Sequence, residues 1–398
     1  MQHKKVFDAY HQYIIQLTKK GVFQGLRIDH IDGLADPKTY LQRLRNAVGK
    51  DCYIVVEKIL EAEEELPTDW PIDGTTGYDF LAIVNNLLTN RKAEKPFNKL
   101  YREMIDKNLD PSAQMILKKR GILLHYMQGE LNHLVTLFLR LVANEKFDES
   151  TMKSIKTAIA DFLIYCPVYR FYGNSLPLPD TELAEIRQLL DTIPVTTANS
   201  TGLDLLTTTL AKLGDEAQKE LLQFYQRLMQ FSGPLMAKGV EDTLMYTYNR
   251  FIGHGEVGDS PAAFGIATED FHQLMMERQN KIPFSINATA THDTKRGEDV
   301  RARLNVLTDL PSDWRDLLMT LKGELGIGLG KKQQLHQNDI YLVLQTIIGV
   351  LPYAGQNGAV GERLNQYLEK ALREAKKRSD WANPNQTYEQ AVMAFAAK

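Results

Sequence analysis

The sequence predicts a parallel α/β protein with a large helical part, and three observations predict it. The opening alternates helical and strand patterns with short connections, as parallel sheets do. The strand patterns include a continuous β-branched run, the mark of a strand buried on both faces. From about Tyr78 to Lys281 the spacing is mostly helical, with long polar faces.

The elements follow in order. Phe7, Tyr10, Ile14 and Leu17 recur at helical spacing, and Lys19, Lys20 and Gly21 supply a basic last turn and a stop. Val22 to Ile31 has strand length. Asp36-Pro37 reads as an N-cap followed by proline in the first turn, opening a helix with Leu41, Leu44 and Val48 on one face. Cys52 to Glu57 reads as a second strand. Ala158 to Tyr169, ending in an apolar run, is a third candidate, and Phe284 to Thr291 a fourth. From Asn305 onward the pattern is helical, with Leu364, Leu368 and Leu372 marking one face. Four strands are too few for a closed parallel barrel, which needs eight.

The 398 residues are enough for one large domain or two smaller ones. The net charge is −3, with acids and bases interleaved. That leaves no electrostatic footprint for nucleic acid or an anionic membrane, so a neutral or small partner is expected. Cys52 and Cys166 lie far apart in apolar runs and read as two buried thiols. No apolar run is long enough to span a bilayer, and the first residues read as an amphipathic helix, so a cytoplasmic location is expected.

Three strings carry candidate chemistry. In Gly25-Leu26-Arg27-Ile28-Asp29-His30-Ile31-Asp32-Gly33, Arg27 and Asp29 project to the same side of a strand, with Asp29 at its C-terminal end. Active sites of parallel α/β folds are built at that end. A neighbouring guanidinium keeps a carboxylate ionised, which suits a nucleophile. A structural Arg–Asp pair beside a turn would give the same string. Glu57 closes the run Tyr53-Ile54-Val55-Val56. An acid there suits a general acid, with a Glu57–Lys58 pair at the sheet rim as the plain alternative. Thr291-His292-Asp293-Thr294-Lys295-Arg296 follows the fourth strand candidate, and most of the charges after it read as a solvated helical face.

Asp29, Glu57 and Asp293 thus each stand at the exit of a separate predicted strand. Glycoside hydrolysis needs two carboxylates across the scissile bond, and a separation of about 5 Å gives the retaining route. A third can orient sugar hydroxyls. No metal is needed. His30 and Asp32 lack a paired-histidine ligand spacing beside them, so a metal site ranks low.

The strings also resemble a known family. Gly25 to Pro37 resembles the nucleophile region of the α-amylase superfamily (glycoside hydrolase family 13), and its Asp-Gly-Leu-Ala-Asp-Pro extension is similar to the maltooligosyl trehalose synthase branch. Val55-Val56-Glu57-Lys58-Ile59-Leu60 resembles that branch's acid/base region. Leu66-Pro67 to Trp70, Gly74-Thr75-Thr76-Gly77-Tyr78-Asp79-Phe80, Met236 to Thr243, Thr291 to Arg296 and Lys370 to Pro384 resemble its other signatures.

The resemblance implies an incomplete (β/α)8 TIM-type barrel with a large helical insertion. Residues 1–80 would carry the nucleophile and acid/base strands. Residues 81–280 would be the insertion with one barrel strand near 160–168. Residues 281–398 would carry the third carboxylate and C-terminal helices. It further implies Asp29 as nucleophile, Glu57 as acid/base and Asp293 as third carboxylate. Arg27, His30, His292, Lys295, Arg296, Trp70 and Tyr78 would contact substrate.

The implied enzyme is a (1→4)-α-D-glucan 1-α-D-glucosylmutase acting on maltooligosaccharides in trehalose biosynthesis, without cofactor. The family's first three strands, its Asn-His sugar motif, its last strand and its C-terminal β-domain have no counterpart here. Gly253-His254-Gly255-Glu256-Val257-Gly258 departs from the family's usual Leu-Asn-Glu-Val-Gly-Gly. An internal fragment is therefore expected, with self-association through open sheet edges. The alternatives are an inactive fragment and an α-glucan hydrolase.

Overall fold

The structure is a computed structural model. It describes residues 1, 3–61, 64–105, 107, 109–142, 147–215, 219–325, 335–352 and 360–398. In chain order the elements are α1 (Lys4–Lys19), β1 (Gly25–Ile28), α2 (Pro37–Val48), β2 (Tyr53–Val56), β3 (Gly74–Thr75), α3 (Tyr78–Leu87), α4 (Glu94–Ile105), α5 (Pro111–Tyr126), α6 (Gln128–Leu141) and α7 (Glu149–Tyr165). There follow α8 (Asp180–Thr192), α9 (Ser200–Ala211), α10 (Lys219–Met236), α11 (Thr268–Lys281), α12 (Glu298–Asp309), α13 (Pro311–Glu324), α14 (Gln337–Val350), α15 (Val360–Ala375) and α16 (Gln386–Ala396). The described chain is mostly helical with a small parallel sheet. None of its helices is long and apolar enough to cross a membrane.

Two compact units form. The first comprises Met1–Thr76, Ile116–Gly239 and Lys281–Ile286, and the second Gly77–Met115, Val240–Asn280 and Asn287–Lys398.

In the first unit β1, β2 and β3 lie side by side, all parallel. Gly25 to Ile28 pair in register with Tyr53 to Val56, and Val55 and Val56 with Gly74 and Thr75. A parallel pair needs a crossover helix, and α2 supplies it. Asp36 caps α2 by accepting the Thr39 N–H at 2.9 Å, Pro37 opens it, and Gly49 at φ 95° ends it. The helix buries Leu41 and Leu44 against Ile54 and Val56. Asp73 clips the sheet by accepting from the Ile54 N–H (2.7 Å) and from Arg45 Nη2 (2.8 Å). α1 packs through Phe7 and His11, whose Nε2 lies 2.9 Å from the Tyr40 hydroxyl. A separate apolar core is built by α6 to α10 and the second part of α5.

Two expected strands are corrected. Ala158 to Tyr169 is not a strand: α7 runs to Tyr165, capped by Asp148 on the Thr151 N–H at 2.8 Å. From Ala158 to Ile164 every residue of α7 is buried. A helix enclosed on all sides shows the continuous apolar run of a buried strand, and periodicity cannot separate the two. Phe284 to Thr291 forms no regular strand either. Pro283 interrupts its approach, and the contact with β3 is reduced to the Ile286 N–H on the Thr75 carbonyl (3.0 Å) and the Thr75 N–H on Ser285 Oγ (2.8 Å). Conversely β3, only two residues long, is not among the strands expected from sequence.

The second unit is helical. α14 brings Val343 against Leu364, Leu368 and Leu372 of α15 and Val392 of α16, the face predicted from leucine spacing. Both cysteines are buried and unbridged.

Candidate active site

The parallel register decides where the first two acids stand. Ile28 lies beside Val56, so the next residues, Asp29 and Glu57, leave the sheet together at its C-terminal end. The Glu57 N–H continues the ladder by donating to the Ile28 carbonyl at 2.8 Å. His30 then takes the left-handed conformation (φ 47°), which turns its own N–H onto Glu57 Oε2 at 2.5 Å. Its imidazole lies against Gly33, where a Cβ would have no room.

Arg27 joins the two acids. Nη1 donates to Asp29 Oδ1, and Nη2 lies 3.5 Å from Glu57 Oε1. The Asp29 side chain is 67 % exposed and that of Glu57 only 15 %. Burial pushes the Glu57 carboxyl above its ordinary range, and the Asp29 charge and a hydrogen bond to Asp29 push the same way. The His30 N–H and Arg27 oppose them. The result is an exposed carboxylate held by a guanidinium beside a sheltered carboxyl whose pKa is raised. Such a division of roles suits retaining glycosyl transfer.

Lys58 does not pair with Glu57, which corrects the rim-pair alternative. It is fully buried and turned inward, donating to Glu64 Oε1 (2.7 Å) and the Ile59 carbonyl (2.6 Å), with Asp32 Oδ2 at 3.5 Å. Sequence reading also passed over Glu61, where burial, followed by the Glu64 charge, raises the carboxyl to about 7. Its signal was a cluster of acids directly after an apolar strand.

Asp293 belongs to the second unit. It accepts from the Tyr78 hydroxyl at 2.7 Å, and His292 Nε2 lies 3.4 Å from the same oxygen. Tyr78 stands at the start of α3, after Gly77 at φ 92°. Gly258, at φ 86°, lets a loop pass so closely that a Cβ there would sit 2.8 Å from the Tyr78 Cβ. The glycine-rich run at 253–258, which departs from the family pattern, forms a buried polar hub. Glu256 accepts the Lys295 N–H at 2.6 Å and faces Arg296 Nη1 at 3.4 Å, while His254 Nδ1 meets Asp259 at 2.8 Å. An acid amid three glycines and a histidine was the available clue.

Three of the expected substrate contacts are buried. Trp70 is buried in the first unit's core, edge-on to Tyr172 at 5.0 Å. Tyr78 is fully enclosed, with its hydroxyl on Asp293. Arg296 is buried between Glu256 and the Tyr367 hydroxyl, to which it donates at 2.7 Å. Lys295 is half-buried with its ammonium 5.4 Å over the Tyr246 ring, and burial lowers its pKa. Arg27, His30 and His292 are exposed.

Comparison with known proteins follows the same line. No protein-family model matches the chain. A Mycobacterium tuberculosis protein provisionally named maltooligosyl trehalose synthase is 33 % identical over 395 residues, 98 % of this chain and 48 % of that protein. The structure of maltooligosyltrehalose synthase from Arthrobacter ramosus superposes with a TM-score of 0.83 at 30 % identity, over 99 % of this chain and 47 % of that one. A hypothetical maltooligosyl trehalose synthase from Sulfolobus tokodaii gives 0.80 at 30 %, over 100 % and 48 %. The chain spans about half the length of the curated relatives it matches. In sequence and in fold, over nearly all its own length, the chain is similar to about half the length of proteins named maltooligosyl trehalose synthase.

Proposed function

We propose that this chain carries the reacting carboxylates of a retaining glucosylmutase that converts the reducing-end α-1,4 bond of a maltooligosaccharide into an α,α-1,1 bond. The observation that supports it best is the Arg27-bridged pair of one exposed and one sheltered carboxyl at adjacent strand ends.

In this reading Asp29 attacks the anomeric carbon of the penultimate glucose. The bond from that carbon to O4 of the terminal glucose breaks, and Glu57 gives its proton to the departing O4. The freed glucose turns, and its O1 hydroxyl attacks the Asp29-bound carbon while Glu57 takes back the proton. Two inversions at one carbon return the α configuration. Asp293, held by Tyr78 and His292, is the third carboxylate that orients sugar hydroxyls. Arg27, His30 and His292 are the sugar contacts. Excluding water favours transfer over hydrolysis.

The finer fold belongs to the same proposal: β1, β2 and β3 are consecutive strands of an incomplete (β/α)8 barrel, residues 81–280 are largely an insertion, and 281–398 return to the barrel. Two buried, unbridged thiols support a cytoplasmic setting. A second reading, a catalytically silent chain when alone, is favoured by a sheet of only three strands among the described residues. Incubation with maltopentaose separates the readings. Loss of reducing ends means the mutase, a gain means an α-glucan hydrolase, and no change means a silent chain.

A further inference from the structure

The loop after β1 and the loop after β2 are tied together from beneath. Asp32, three residues after Asp29, is buried and accepts a hydrogen bond from the Tyr172 hydroxyl. Its other oxygen faces Lys58 Nζ at 3.5 Å. Lys58 directly follows Glu57, is fully buried, and is held in turn by Glu64 and the Ile59 carbonyl. Its ammonium also lies 5.6 Å and 5.7 Å from the ring centres of Tyr169 and Tyr172. Arg170, itself buried, donates to the carbonyls of Asp32 (2.9 Å), Leu34 and Ala35 (3.3 Å), and Gln230 Nε2 donates to the Gly33 carbonyl (2.6 Å). The carbonyls of residues 32–35 are thus held from the segment at 170–172 and from α10.

A buried ammonium between two carboxylates is costly unless its place is fixed, and hydrophobic residues would pack as well or better. What such a cluster adds is a single geometry. Here that geometry is the approach of the Asp29 loop to the Glu57 loop. We infer that Lys58 is a positioning residue, which through Asp32 holds the two loops so that Asp29 and Glu57 act as a pair. The inference rests on the reading of those two acids as the working pair. Lys58 itself touches no substrate.

The test follows the Glu57 carboxyl by carbon-13 NMR titration of the full chain labelled in glutamate, with Glu57→Gln for assignment. In the parent, burial is the largest cause of its raised pKa. Lys58→Met loosens the loops and admits water, so the Glu57 midpoint falls toward the ordinary carboxylate range, and Lys58→Arg restores most of it. A merely structural Lys58 would lower the unfolding temperature of Lys58→Met and leave the Glu57 midpoint where it is in the parent, which overturns the inference. Should Lys58→Met fail to fold, Tyr172→Phe, which removes only the hydroxyl on Asp32, is read by the same criterion. A maltopentaose assay runs beside it. The inference expects kcat to fall at least tenfold in Lys58→Met with KM within about threefold. A parent that converts no maltopentaose even within a polypeptide of the relatives' full length sinks the proposed function, while the titration still decides the role of Lys58.

Discussion

At the scale of single residues, the acids were legible because an acid that ends an apolar run is expensive to place without a purpose. Asp29 and Glu57 could be picked from the string alone, but their unequal surroundings could not. What separates them is burial, 67 % exposure against 15 %, and burial depends on residues far away in sequence. The same limit hid the inward turn of Lys58 and the enclosure of Trp70, Tyr78 and Arg296. An aromatic in a signature string reads equally well as a sugar platform or as core.

Two predictions belong at this scale. Tyr78→Phe removes the hydrogen bond to Asp293 and keeps the buried ring. A hydrogen bond to a charged group contributes about 1.5–3 kcal/mol, so turnover should fall by roughly tenfold or more, measured as kcat on maltopentaose. Unchanged turnover would take Tyr78 out of the site. Glu61 gives a pH signature. Its folded pKa of about 7 lies above the ordinary 4.5. Below pH 4.5 both folded and unfolded chains hold the proton. Between 4.5 and 7 the folded chain keeps a proton that the unfolded chain has released, so stability falls as pH rises. Urea unfolding across that window should show a decline that Glu61→Gln flattens. An equal slope in the variant would contradict the assignment.

At the scale of elements, helices with one polar face were read well, because helical spacing is written directly in the sequence. α1, α2 and α15 follow it. The reading failed at the enclosed helix α7, where burial on every side erases the amphipathic pattern, and at β3, too short to carry any pattern. The β1–β2 register matters most for function. It rests on the α2 crossover and on the Asp73 clip rather than on strand length. A close approach of backbone to α3 gives an element-scale prediction. Gly258→Ala places a side chain at φ 86° and 2.8 Å from the Tyr78 Cβ. Strain and overlap together should cost at least about 2 kcal/mol in unfolding free energy. A loss below about 0.5 kcal/mol would show that the loop moves aside freely.

At the scale of the whole molecule, the described residues hold a small parallel sheet of three strands. Among the described residues β1 pairs only with β2, and Val22, Phe23, Phe284 and Ile286 are exposed large apolar side chains of the first unit. Open strand edges and exposed apolar groups favour pairing with another chain. The isolated chain should therefore associate as concentration rises, observed by analytical ultracentrifugation, and Val22→Lys with Phe284→Ser should weaken that association. A chain that stays monomeric at high micromolar concentration would contradict this. The resemblance spanned nearly the whole sequence and was readable from its long motifs. That the sheet is small was readable from the strand count, although two of the four counted strands form no strand.

The central claim is that Asp29 and Glu57 perform retaining transfer through one covalent intermediate. The most direct measurement compares Asp29→Asn with its parent on maltopentaose, in the chain alone and within a polypeptide of the relatives' full length, following reducing ends and free glucose together. The chain alone should convert little. In the full-length setting the parent should lose reducing ends with little free glucose. The variant should lose both transfer and hydrolysis, because both pass through the Asp29-linked sugar. A full-length variant that converts maltopentaose at a rate near its parent's would contradict the assignment of Asp29.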